Sequence, residues 1–143
     1  MSKIRKSTPP IGNLSISQAK QLAEQKAKEL INFSFKYLDG IHQKFCYHPH
    51  SNTYFVEVLD RVKNLSALTK QELLSNRSPS LKAHPINWTD TTESCFGFPK
   101  ETDIVDIPYQ FSINRNEHGR VHGFFIYNTF YVVWLDKMHN LYS

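Results

Sequence analysis

Seven side chains in the last quarter of the chain combine charge, proton transfer and hydrogen bonding. They are Arg115, His118, Arg120, His122, Lys137, His139 and Tyr142. Imidazole exchanges protons near neutral pH. Guanidinium and ammonium groups stabilise developing negative charge, and a phenol can orient a substrate. Together they suit RNA cleavage without a metal. A base removes the 2′-OH proton, a cation stabilises the charged phosphorane, and an acid protonates the leaving 5′-oxygen. Arg120, Lys137, His139 and Tyr142 are the candidate catalytic group, with Arg115, His118 and His122 as candidate binding residues. The simpler reading is that Arg120 and Asp136 form a cross-strand pair of little energetic weight if exposed. On that reading His139 is an ordinary surface residue and His122 a satisfied strand residue.

Other chemistry has weaker support. In "CYHPH", Cys46, His48 and His50 alternate and would share one face of a strand, as metal ligands must. No CxxC, HExxH or HxxxH completes a shell, and Pro49 interrupts the strand. No metal or other cofactor is therefore expected. Cys95, with His84, His118 or His122 nearby in space, would form a nucleophile–base pair, but a thiol beside Phe96 is more often packed. No GxxxxGK[ST] or GxGxxG is present, which argues against nucleotide hydrolysis.

Positioning the seven residues requires a hairpin. "RVHGFFIY" (120–127) and "TFYVVWL" (129–135) read as strands joined by a tight turn at Tyr127-Asn128, because Asn tolerates positive φ. The start of one strand then lies beside the end of the next, with Arg120 opposite Leu135 to Asp136. "YQFSIN" (109–114) supplies a third strand. Upstream, Ser15 or Ser17 caps a helix whose Ile16, Leu22, Ala23, Ala27, Leu30 and Ile31 form an apolar stripe. "FSFKYL" (33–38) fits a strand or the end of that helix, and "HQKFCYH" (42–48) a strand. Helices are expected over 53–66, capped by Ser51 or Asn52, and over 68–76, where Thr69 and Glu72 have capping-box spacing. Between Arg77 and Pro108 the pattern is irregular, with Ile86, Trp88, Phe96 and Phe98 as its apolar anchors.

This order gives an α+β fold, with N-terminal helices packed on a small antiparallel β-meander formed mainly by the C-terminal half. Residues 1–13 read as a flexible basic arm and 14–143 as a single domain. A length of 143 residues with 40% hydrophobic and 13% aromatic content supplies enough material for one core. The longest apolar run is too short to span a bilayer and the N-terminus is polar and basic, so a soluble, cytoplasmic protein is expected. Two separated cysteines suit reduced thiols. The formal net charge of +4 is compatible with a phosphate-rich partner.

The succession of helices and then "FSINRNEHGRVHGFFIYNTFYVVWLDKMHNLY" resembles the bacterial toxins of the RelE/YoeB/ParE superfamily. Arg120 matches the arginine near the start of a meander strand, and His139 with Tyr142 matches the terminal pair after the last strand. The likeness covers about 35 C-terminal residues. Asn140 and Leu141 stand between His139 and Tyr142, and Glu93 and Glu117 are the candidates for the family's acidic base. The resemblance implies a metal-independent mRNA endoribonuclease, ribosome-associated or free, neutralised by an antitoxin protein. The ending also resembles that of small proteins of bacterial mobile elements. The alternative is a non-catalytic protein- or nucleic-acid-binding module of a mobile element or defence system, in which Tyr127, Phe130 and Tyr131 make the contact.

Overall fold

A computed structural model describes residues 15–75, 80–114 and 119–142. The expected basic arm, along with Arg115, Glu117 and His118, lies outside the described residues.

The first helix, α1 (Ile16–Ala27), starts at Ser15, whose side chain and that of Gln18 form a reciprocal capping box. Its stripe does not pack: α1 contributes no buried residue, and Ile16 is 92% exposed. The apolar residues just beyond it, Leu30 and Ile31, dock instead. Strand β1 (Asn32–Ser34) follows and stops before Phe35, so 33–38 is a strand only at its start. Helices α2 (Asn52–Leu65) and α3 (Lys70–Leu74) are capped by Ser51 and Thr69, as their sequences predict. Next come a two-residue strand β2 (His84–Pro85), a 3-10 turn (Trp88–Asp90) and a short helix α4 (Glu101–Ile104). Strands β3 (Pro108–Ser112), β4 (Arg120–Ile126) and β5 (Thr129–Asp136) complete the sheet, and a 3-10 turn (Asn140–Tyr142) closes the chain.

The architecture is α+β. The meander β3-β4-β5 is the centre of a larger, mixed sheet of order β1-β5-β4-β3-β2, in which β1 runs parallel to β5. The parallel pairing is held by Asn128, whose carbonyl accepts from Asn32 N–H (2.9 Å) and whose side chain donates to the Lys28 carbonyl (2.7 Å). Residues 42–48, expected as a strand, form turns. Phe45 is the reason. Its ring stacks on Trp134 at 4.4 Å between centroids and is 1% exposed. Burying that ring stabilises the segment by about 1.5–3 kcal/mol, and a turn from His42 to Phe45 delivers it.

Both sheet faces are covered. On one, Phe111, Val121, Phe130, Val132 and Leu135 pack against Tyr54, Val58 and Leu65 of α2 and Leu73 of α3. On the other, Phe124, Val133 and Trp134 pack beneath Phe45, Ile86 and Phe96. Trp88 and Phe98 join that second cluster, so the four anchors read from the irregular segment do anchor it. Among the described residues, no helix is long and apolar enough to cross a membrane.

Strand β5 carries one extra residue. His122 pairs with Trp134 but Gly123 pairs with Val132, which leaves Val133 in a bulge. The bulge needs Gly123. A Cβ there would fall on the Tyr131 carbonyl oxygen and against the Phe130 ring.

Candidate functional site at the end of the sheet

The register pairs Ser112 with Arg120 and Arg120 with Asp136, across three adjacent strands. Alternation then puts His122, two residues along β4, on the same face as Arg120 and Asp136. His122 Nε2 lies 3.0 Å from Asp136 Oδ2. The expected position of Arg120 opposite Leu135 to Asp136 is therefore the observed one.

Asp136 organises this end of the sheet. It is 1% exposed. Besides His122, its carboxylate accepts the backbone N–H groups of Asn140 (2.7 Å) and Leu141 (3.0 Å). One side chain thus fastens the terminal 3-10 turn to the sheet. Burial alone would raise the Asp136 pKa. The hydrogen bond from His122 and those from the two backbone N–H groups hold it below the ordinary carboxylate value. His122 is fully buried, and that desolvation pushes its pKa down against the pull of Asp136. We therefore assign a neutral imidazole with its proton on Nε2, donated to the carboxylate. Its Nδ1 is buried without a hydrogen-bond partner, and the Phe45 and Trp134 rings flank it at 6.1 and 6.2 Å.

Arg120 is 6% exposed. Its Nη1 donates to the Gly119 carbonyl (3.1 Å) and to Ser112 Oγ (3.4 Å). Burial lowers its pKa while the Asp136 charge opposes that shift. A guanidinium stays protonated even so, and Arg120 and Asp136 balance one another's charge in the interior. This is a buried pair, not the exposed one considered from the sequence.

The remaining candidates surround the network at the surface. Lys137 is half-buried, with Nζ 5.6 Å from the Tyr54 ring centroid. His50 packs edge-on against Tyr54 at 4.7 Å, and burial and then Lys137 lower its pKa. Tyr54 has a raised pKa from burial first, then from the Asp136 and Glu57 charges. On the other side of the terminal turn, His139 adopts a left-handed backbone with φ 58°. Its ring lies 5.7 Å from that of Tyr142, which is 6.1 Å from His84. The His139 N–H reaches the Asp136 carbonyl at 3.4 Å, so the chain fold brings Arg120, Asp136, Lys137 and His139 to one end. A cavity of about 130 Å³ opens between Tyr54, Glu57, Asn114 and Lys137.

The other sequence candidates fall elsewhere. Cys46, His48 and His50 lie in or beside turns and do not share a strand face. His48 stacks on Tyr47, and His50 meets Tyr54 edge-on. Among the described residues, no group of three or more His, Cys, Asp or Glu side chains could hold a metal ion. Exposed Cys95 lines a groove with Ser94, Lys100 and Glu101 and without a histidine. Glu93 bonds Lys44 (2.8 Å) and sits 3.4 Å from His42 Nε2, latching two loops together.

Sequence reasoning missed His50 and Tyr54 as neighbours of Lys137, and Asp136 as the hub. Nothing in the spacing of residues 50–54 points to residue 137. Asp136, by contrast, was signalled by its place four and five residues before the backbone donors that it accepts. Comparisons with protein-family models, curated proteins and solved structures yield no match to this chain.

Proposed function

We propose that the protein binds single-stranded RNA along the sheet end where β4 begins and β5 stops. The observation that carries this reading is a division of labour. Arg120, His122 and Asp136 are buried and engaged with one another or with neighbouring groups. Lys137, His139 and Tyr142 are half-exposed around them, with His50 and His84 alongside. That rim pairs cations and imidazoles with aromatic rings, the combination that tracks a phosphate backbone and stacks bases. The formal charge of +4 supports it. Arg120 then acts as a positioning residue beneath the rim.

A second reading is the toxin-like, metal-independent endoribonuclease acting on mRNA, with or without the ribosome and restrained by an antitoxin. The gathering of Lys137, His139 and Tyr142 at one edge favours it, because those groups supply the cation and the proton donors that cleavage needs. In this reading His139 transfers the proton and Lys137 stabilises the phosphorane.

Anisotropy of a labelled single-stranded RNA over a salt series, read on the same samples for cleavage, tests both. Binding should weaken as salt rises, with a log–log slope of roughly −0.7 per phosphate neutralised, and Lys137→Ala should flatten that slope. Cleavage abolished by His139→Ala would establish the second reading. A protein that neither binds nor cuts RNA, with or without ribosomes, would refute both.

A further inference from the structure

We propose that the cleft between residues 36–41 and 96–98, on the opposite stretch of β5 from the rim, binds a guanine base. The cleft has a volume of about 440 Å³, within the range of small-ligand sites. The inference rests on the RNA reading only for the origin of the base, which a free nucleotide could equally supply.

Its floor is aromatic and rigid. Tyr37 stacks on Phe98 at 4.6 Å and 20°. Phe98 stacks on Phe124 at 5.7 Å, and Phe124 on Tyr131 at 5.3 Å and 10°. The ladder is therefore built on β4 and β5, while Tyr37 and Phe98 at its outer end remain half-exposed. Lys36 Nζ lies 5.2 Å above the Tyr37 ring, which marks the accessible face. A base stacked there takes the place of the ammonium, and the exposed, flexible Lys36 follows the phosphate. The Gly97 side is open: with φ +93°, a Cβ built on it meets nothing within 4 Å.

Asp39 supplies the selectivity. The Val133 carbonyl, turned outward by the bulge, accepts Asp39 N–H at 2.8 Å. Asp39 Oδ1 accepts Ile41 N–H at 3.1 Å. Val133 thus holds the Asp39 backbone at the cleft and Ile41 N–H its carboxylate, with lone pairs to spare on Oδ1 and all of Oδ2. An ionised carboxylate only accepts. Guanine presents two adjacent N–H donors on its Watson–Crick edge, which one carboxylate can bridge. Adenine and uracil each set an acceptor beside their donor, and that acceptor would face the anion.

Titration of the full chain with 5′-GMP, 5′-AMP and 5′-UMP, followed by NMR of the aromatic resonances, tests the site. 5′-GMP should saturate and bind about tenfold or more tightly than the others, the discrimination a bidentate contact gives. Asp39→Asn keeps Oδ1 for Ile41 N–H but turns the second acceptor into a donor, so it should abolish that preference without unfolding the loop. Lys36→Ala should weaken 5′-GMP and leave guanosine unchanged. No saturation by 5′-GMP at millimolar concentration, or equal binding of the three nucleotides unaffected by Asp39→Asn, would overturn the inference. A single-stranded oligonucleotide containing one guanine separates the two claims. Binding of 5′-GMP but not of the oligonucleotide keeps the cleft and removes the RNA reading. Oligonucleotide binding indifferent to Asp39→Asn keeps the RNA reading and removes the cleft.

Discussion

His122 and Asp136 occupy adjacent strands two positions out of register, and their side chains meet at 3.0 Å with neither exposed to solvent. That diagonal contact joins the middle of β4 to the terminal turn, because the same carboxylate holds Asn140 and Leu141. Removing this buried carboxylate leaves the buried Arg120 charge uncompensated and the His122, Asn140 and Leu141 donors without their acceptor. Asp136→Ala should therefore destabilise the fold by about 3–5 kcal/mol in urea unfolding. A loss under about 1 kcal/mol would show that the turn is not held this way.

Stability should decline with acid in two steps. His122 has a native pKa below its ordinary 6.5, so the unfolded chain takes up the proton first. Its contribution is complete above pH 6.5 and drains away as pH falls below that value. Asp136 has a native pKa below 3.8, so its contribution lasts until pH drops past that point. Thermal melting across pH should show both steps, and His122→Gln should shrink the first to the part that His50, whose pKa is also lowered, supplies. A melting temperature that rises between pH 7 and pH 5 would contradict the assignment of a neutral His122.

Phe45→Ala removes the ring that covers Trp134 and His122. A loss of about 3–5 kcal/mol is expected for so large a buried aromatic. Histidine NMR titration provides the sharper measurement: water admitted beside His122 should move its pKa back up toward 6.5. A stable variant with an unmoved His122 would mean that other groups shield the imidazole.

Gly123→Ala should cost at least about 1–3 kcal/mol, as overpacking does, because the new methyl meets the Tyr131 carbonyl. Ile16→Ala, on a helix that buries none of its residues, should change stability by less than about 0.5 kcal/mol. Chemical denaturation of the pair discriminates them, and equal losses would indicate that α1 packs against the domain.

The hairpin was legible because its information is local. Alternating large residues, Asn128 at the turn and a polar residue at each end fixed the strands, and the turn fixed the Arg120–Asp136 pairing. Capping residues gave α2 and α3 for the same reason. The parallel strand β1 was not legible, since its partner lies almost a hundred residues away and three residues carry little periodicity. Segment 42–48 misled because one long-range contact, Phe45 on Trp134, outweighs its strand-like pattern. At the candidate site the residue types were readable and their exposure was not. Arg120 looks like a surface cation in sequence and becomes interior only when three strands and a terminal turn close over it.

The way β5 ends its outer edge carries a last implication. Strand β1 covers that edge only along residues 129–131, and beyond it the bulge sends the Val133 carbonyl to Asp39 in a loop. At the far side of the sheet, β2 is two residues long and ends in Pro85, which offers no N–H. Among the described residues, each margin of the sheet therefore lacks the long row of open backbone groups on which another chain could template itself. A domain with so aromatic an interior is in this way guarded against growing into filaments by strand addition.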